Sequence, residues 1–361
     1  MLAAIAAARQ TIELESYIVA DDAIGRQFLA ALTRAAAAGV HVRVLADSYG
    51  SFLLPASFFA PLLAAGGAVR FFNPLRFSRF GVRDHRKLLV CDRQTAFIGG
   101  ANLAHEYDGD GITRGWLDLM LKIEDAEIAV RLAAEFERMY SAADFAHGSL
   151  PRLRAFRHRR QTTGDDPKIF AIKPGRGTDA YQRALHRDLA HARSADFIAP
   201  YFLPTRRLRK LLGKILRRGG RVRLLLPARC DVPLARAAAM IYYHRLLRRG
   251  VEIYEYQPQI LHAKLCRVDD KVFAGSSNLD VRSFKLNYEL MLRFTDHATV
   301  TGAKDIFTAA LAHSTRIELE TFRQSQTFWQ RVKNYWAHFL IARIDPLVAL
   351  RQINPRGIKP A

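Results

Sequence analysis

Residues 85–92 read His-Arg-Lys-Leu-Leu-Val-Cys-Asp, and residues 262–269 read His-Ala-Lys-Leu-Cys-Arg-Val-Asp. Six intervening residues separate the first from Gly99-Gly-Ala-Asn102, and five separate the second from Gly275-Ser-Ser-Asn278. In each copy His and Lys are two apart, so on an extended chain both project from one face into one site. The aliphatic residues behind each Lys carry a strand into the core. The Asp and the glycines fall where a tight turn must precede the strand that bears Asn. A lone His-x-Lys would mean little; two copies with the same residues at matching offsets point to a duplicated unit.

Working outward, the flanks repeat as well. A helix-like run from Phe28 to Ala38 passes through Gly39 into the aliphatic stretch 40–45, and Leu208 to Arg218 passes through Gly219 and Gly220 into 221–226. A second helix then ends in glycine before another strand: Leu62 to Gly67 and then 69–72, against Tyr243 to Gly250 and then 251–254. This double alternation predicts an α/β protein with a sheet in each half and helices over its faces. The divisions expected are a first half at 1–145, a basic linker at 146–168, a second half at 169–325 and an amphipathic basic segment at 326–361. The linker is rich in Arg, Pro, Gly and Thr and has no apolar period.

Hydrophobic residues at 50% and charged residues at 25% of 361 exclude global disorder. Lys and Arg number 55 against 34 Asp and Glu, a net charge of +21 that attracts polyanions: nucleic acid, an anionic membrane or a phosphorylated substrate. Cys91, Cys230 and Cys266 are too few and scattered for a disulfide framework, lack zinc-site spacing and suit a reducing compartment. The apolar N-terminus has no preceding basic residues and reads as a first helix, not a signal peptide. No stretch approaches the ~18 apolar residues of a membrane span, so a cytoplasmic location with peripheral membrane contact is expected.

Displacement at a phosphodiester suits these residue types. One neutral imidazole attacks phosphorus while a protonated one supplies the leaving alcohol's proton; the roles then reverse to resolve a phosphohistidine. Two lysines and two Asn amides offer positive charge and N–H donors to the transition state. The scheme needs no metal or other cofactor.

With LESYI at 14–18, DDAIGRQFLAAL at 21–32 and GVHVRVLADSYGS at 39–51, the motifs extend a resemblance over roughly residues 10 to 300. The chain resembles the phospholipase D superfamily, and within it the short, non-transmembrane (type B-like) cardiolipin synthases of bacteria. The resemblance implies two pseudo-symmetric α/β/α halves, each a mixed sheet flanked by helices, with the active site at their interface. It implies a catalytic set of His85, Lys87, Asp92, His262, Lys264 and Asp269, with His85 as nucleophile and His262 as general acid/base. Asn102 and Asn278 match phosphate-contacting positions; Asp118 and Glu289 match acidic positions that orient the histidines. By its own chemistry, each motif Asp suits a turn or salt bridge better than catalysis. The implied activity transfers a phosphatidyl group between two phosphatidylglycerols, releasing glycerol, at the cytoplasmic face of a bacterial inner membrane and without an obligate protein partner.

Two departures carry expectations. The shorter gap before Gly275 could shift Asn278, and the start at a helix leaves the first sheet without an edge strand unless the start is misassigned. A phosphodiesterase acting on nucleic acid, a lipid-hydrolysing phospholipase D and a catalytically dead membrane-binding scaffold are the alternatives. Phe328, Trp329, Val332, Tyr335, Trp336, Phe339 and Leu340 recur at helical spacing beside Arg331, Lys333 and Arg343, fitting either a bilayer interface or a helix packed on the core. Residues 52–59 and the pair Phe77 and Phe80 fit either an acyl-chain entrance or core.

Overall fold

The structure, a computed structural model, describes residues 1–74, 81–143, 166–175 and 178–341. Phe77, Phe80, Arg343 and all of the expected linker before Asp166 lie outside the described residues. The first half runs α1 (Leu2–Ala7), β1 (Thr11–Ser16), α2 (Ala23–Ala37), β2 (His41–Asp47), α3 (Ala60–Ala64), β3 (Ala68–Phe72), β4 (Leu88–Cys91), β5 (Thr95–Gly99), β6 (Met120–Ile123) and α4 (Ala126–Ser141). The second runs β7 (Lys168–Ile172), α5 (Ala180–His191), β8 (Ser194–Ile198), α6 (Arg206–Arg217), β9 (Arg221–Pro227), α7 (Pro233–Leu247), β10 (Glu252–Tyr256), β11 (Leu265–Val268) and β12 (Lys271–Gly275). It continues with α8 (Val281–Lys285), β13 (Glu289–Phe294), α9 (His297–Ala312), β14 (Ser314–Ile317), α10 (Leu319–Ser325) and α11 (Phe328–Phe339).

The helix–glycine–strand junctions form where the repeat places them. Asp22 and Thr205 cap α2 and α6 by accepting the Gly25 and Leu208 N–H groups. Gly39 and Gly219 end these helices at φ 87° and 75°, a left-handed conformation that side-chain-bearing residues resist. The first sheet has the order β3-β2-β1-β4-β5-β6, with β3, β2 and β1 parallel and the rest antiparallel. The second repeats it as β10-β9-β8-β11-β12-β13, adding β14 at one edge and β7 at the other. Among the described residues the first sheet has no counterpart of β7, so β6 is its edge.

The shorter gap in the second motif is absorbed in a turn. Cys91 pairs with Thr95 across the first hairpin and Val268 with Lys271 across the second, so one turn residue is lost. At the other end Leu88 faces Ile98 and Leu265 faces Ala274, the same register relative to each Lys and Gly. The expected shift of Asn278 does not occur.

Helices α1–α3 cover the outer face of the first sheet and α5–α7 that of the second. The inner layers are shared. Ile128, Leu132 and Phe136 of α4 pack with Leu88 and Val90 of the first sheet and with Leu290 and Leu292 of the second. Phe307 of α9 lies in a second shared cluster, packed by Leu117 and Leu119 of the first half. In the 52–59 segment Phe58 and Phe59 are buried core, whereas Phe52 and Leu53 are exposed. Leu132→Ala, at a fully buried position facing both sheets, is expected to cost about 2–5 kcal/mol. Its urea unfolding midpoint against that of the parent reads this directly.

Candidate active site

The two His-x-Lys segments meet where the halves join, each stitched to the strand that leads to the other half's acid. His85 donates its backbone N–H to the Tyr288 carbonyl at 3.0 Å, and Tyr288 donates to Arg83 at 2.8 Å. In the pseudo-symmetric copy His262 donates to the Leu117 carbonyl at 2.8 Å and Leu117 donates to Ile260 at 2.9 Å. The side chains follow. His85 Nδ1 lies 3.0 Å from Glu289 Oε2, and His262 Nδ1 lies 2.6 Å from Asp118 Oδ2. Each imidazole is thus oriented by a carboxylate from the opposite half. A ring held at Nδ1 presents Nε2 for chemistry.

Both lysines are buried beside these rings. Lys87 donates to the His85 carbonyl at 2.7 Å. Lys264 donates to the His262 carbonyl, and its ammonium lies 2.6 Å from His262 Nδ1 and 3.7 Å from Asp118. Burial, then the cations of Lys87, Lys264 and His262, holds the His85 imidazole well below its usual range. Burial and Lys264 also lower His262, against the pull of Asp118. Lys87 is brought down to about 7 by burial, and Glu289 is pushed up to about 7 by burial. Asp118 alone of the pair of acids stays below the ordinary carboxylate range, because Lys264 and His262 outweigh its burial.

The Asn residues differ in their partners. Asn102 Oδ1 accepts from the Ile18 N–H at 3.0 Å, and its Nδ2 donates to the Tyr107 hydroxyl at 2.7 Å. Asn278 Oδ1 is buried without a protein partner, two residues after Ser276, whose hydroxyl donates to Glu289 at 2.6 Å. The structure does not bring Asp92 and Asp269 to the site. Asp92 sits at the far end of β4, accepting the Arg9, Gln10 and Thr11 N–H groups at 2.8, 2.8 and 2.9 Å. Asp269 binds the Arg193 and Ser194 N–H groups at the start of β8 in the same way. Five residues of extended chain, about 16 Å, separate each from its Lys. Both act as turn clamps.

Aromatic rings outside the two His-x-Lys motifs enclose the imidazoles. Tyr17 lies tilted at 57° to His85, ring centroids 4.9 Å apart, with Lys87 5.1 Å from its ring, and its hydroxyl accepts from Arg83 at 2.9 Å. Tyr107 and Trp116 each lie 5.4 Å from His262, and Tyr201 lies 6.5 Å away. Isolated aromatics have no sequence signature; only the folded chain gathers them. Among the described residues one group of metal-ligating type, Asp22, His105 and Glu106, lies together. Its Asp22 already caps α2 and accepts the His105 N–H, which accounts for the grouping.

Comparison with known proteins agrees with this geometry. The sequence profile described as "Cardiolipin synthase, PLD-like domain" matches residues 1–140 and 185–311. The chain belongs to the cardiolipin synthase family. It is 32% identical over 352 residues to cardiolipin synthase B of Salmonella typhi, covering 93% of this chain and 83% of the relative. To cardiolipin synthase B of Escherichia coli K12 it is 32% identical over 373 residues, covering 98% and 89%. Among solved structures, phosphatidylserine synthase of Haemophilus influenzae superposes with a TM-score of 0.74 at 15% identity, covering 97% of this chain and 92% of that one. That likeness establishes the fold of two phospholipase D-like halves.

Within this cardiolipin synthase fold the two histidines rest on unlike foundations. Beneath His85 lies a buried ionic group: Arg86 Nη2 is 3.1 Å from Glu15, the Arg86 N–H donates to Asp84 at 3.3 Å, and the Asp84 N–H donates to Asp47 at 2.8 Å. Burial pushes Glu15 and Asp84 up, and Asp47 to about 7. Register places Ile198, Leu261, Ala263 and Pro227 at the equivalent positions beneath His262. Ile198, Leu261 and Ala263 form part of an apolar cluster there. The x of each His-x-Lys is therefore an anchor, ionic in one half and apolar in the other. Removing the cation by Arg86→Met leaves buried carboxylates uncompensated and is expected to destabilise by about 3–5 kcal/mol. Thermal unfolding near pH 7.5 tests this, with Arg93→Met at the exposed turn as the control.

Proposed function

We propose that this protein is a phosphatidyltransferase that makes cardiolipin from two phosphatidylglycerols through a phosphohistidine. The observation that carries the reading is the pair of buried imidazoles, each held at Nδ1 by a carboxylate of the other half and accompanied by a lysine. Membership of the cardiolipin synthase family supports the lipid substrate. In the first step His85 Nε2 attacks phosphorus, the P–O bond to glycerol breaks, and His262 gives its proton to the departing oxygen. In the second, His262 takes a proton from the terminal hydroxyl of another phosphatidylglycerol, whose oxygen attacks phosphorus and frees His85. Lys87, Lys264 and the Asn amides stabilise the oxygens that gain charge.

The burial-lowered pKa of His85 keeps it neutral, as a nucleophile must be. His262 has to be protonated for the first step, and the phosphodiester anion arriving beside it offsets the lysines that disfavour the imidazolium. Among the described residues no helix is long and apolar enough to cross a membrane. We place the enzyme peripherally on the cytoplasmic face of a bacterial inner membrane, with anionic phospholipid as its partner surface.

Lipid mass spectrometry on cells lacking cardiolipin should detect it when this chain is expressed and not with His85→Ala or His262→Ala. Well-folded parent protein that makes none would redirect attention to nucleic acid as substrate. Asp118→Asn removes the group that raises the His262 pKa, so the basic limb of the kcat/KM profile moves to lower pH. The same change is expected to lower kcat by roughly 10²–10⁴-fold. A basic limb that stays in place excludes His262 as the group it reports.

A further inference from the structure

The C-terminal helix α11 lies on α7 through Asn334 and Ala337, with Ala237, Ala238 and Leu203 beneath it and Tyr242 Oη 2.7 Å from His338 Nε2. Its large side chains point the other way. Phe328, Trp329, Tyr335 and Trp336 are 70%, 76%, 63% and 57% exposed. They form one stripe, since residues seven apart share a helical face. Beside the stripe, α7, α10 and α11 enclose a groove of about 690 Å³. Met240 and Phe322 line its apolar wall, and His244, Arg248, Arg323 and Arg331 line its polar side together with the Glu320 carboxylate. Among the described residues none of these three guanidinium groups has an ion-pair partner. Arg245 and Arg249 join His244 and Arg248 in an adjoining cavity of about 380 Å³.

An apolar wall, unpaired guanidinium groups and a Trp/Tyr stripe in one place match an anionic amphiphile at a bilayer surface. Trp and Tyr favour the headgroup level, and Arg pairs with phosphate. A nucleic acid would satisfy the arginines and leave the Met240 and Phe322 wall unused. We propose that this groove binds the phosphate of an anionic phospholipid in the bilayer, while the α11 aromatics sink into the lipid around it. The site is separate from the His85/His262 centre. Helix α7 begins two residues after Asp231, the partner of Tyr201 beside His262, and Arg248, just past its last residue, lies about 22 Å from its start. The proposal rests on the reading above that the enzyme works at an anionic membrane.

Co-sedimentation with phosphatidylglycerol and with phosphatidylcholine vesicles tests it, alongside turnover of monomerically dispersed dihexanoyl phosphatidylglycerol. The parent should bind the anionic vesicles preferentially. Arg248→Gln/Arg323→Gln/Arg331→Gln should lower that partition on the order of a hundredfold, about fivefold per charge. Trp329→Ser/Trp336→Ser should lower partition and abolish the blue shift of tryptophan emission on binding. Both variants should keep the parent's turnover of the dispersed lipid, which also shows that they fold. Variants that turn over substrate and still bind like the parent overturn the proposal, as does equal binding to neutral vesicles. Vesicle binding that appears only in a chain ending at Ile341 would assign the face to residues 342–361 and overturn it as well. A parent that binds anionic vesicles through this groove yet makes no cardiolipin would refute the function proposed above and leave the groove standing.

Discussion

Everything at the centre of this molecule depends on one exchange: each histidine takes its orienting carboxylate from the other half. Glu289 holds His85 and Asp118 holds His262. Neither half contains a complete pair, so the interface must be rigid to within a hydrogen bond for either imidazole to be aligned. The shared clusters around α4 and α9 supply that rigidity, because they bury side chains against both sheets at once. The backbone bridges at Asp84–Tyr288 and Leu117–Leu261 then fix the register of each motif against the strand bearing its acid.

The second governing fact is the burial of so much charge. Two lysines, two carboxylates and two imidazoles sit out of water in contact, and no arrangement of them alone is relaxed. Glu289 is driven up and Lys87 down toward the same pH, about 7, while both histidines are held neutral-leaning. A phosphodiester brings the missing negative charge. Under the proposed reaction, its arrival strengthens the lysine ammoniums and the imidazolium of His262 together, so substrate binding and protonation of His262 become one electrostatic event. The aromatic rings of Tyr17, Tyr107 and Trp116 line the site with low-polarity surface that keeps these interactions strong.

The duplication has diverged around the two histidines. Ser276 donates to Glu289, but a Cβ at the equivalent Gly100 would overlap the Asp118 carboxylate. The shorter acid is thus paired with the residue that has no side chain. The foundations differ in the same sense, with Glu15, Asp84 and Arg86 under one histidine and Ile198, Leu261 and Ala263 under the other. Unequal surroundings are what two chemically identical groups need if one is to attack and the other to shuttle protons.

Much of this was written in the sequence. The repeat of helix, glycine and strand around two His-x-Lys motifs determined an α/β sheet in each half, because hydrophobic period and glycine stops are local properties of the chain; that the sheets are mixed came only from the resemblance. The same motifs named the histidines, lysines and asparagines. The acidic partners were legible only through resemblance, since nothing local ties Glu289 to His85, 204 residues away. Tertiary structure alone decided the rest. It set Asp92 and Asp269 at the turns, as their own chemistry suggested and against the catalytic role that the resemblance implied, because five residues of strand carry them beyond reach of the site. It absorbed the shortened second motif in a hairpin turn and left Asn278 in register. It turned the large aromatics of α11 outward, because Asn334, Ala337 and His338 are the residues that the helix sets against α7. Local patterns fix which face of an element is apolar, but which neighbour that face meets, or whether it meets one, is settled by the packing of the whole chain.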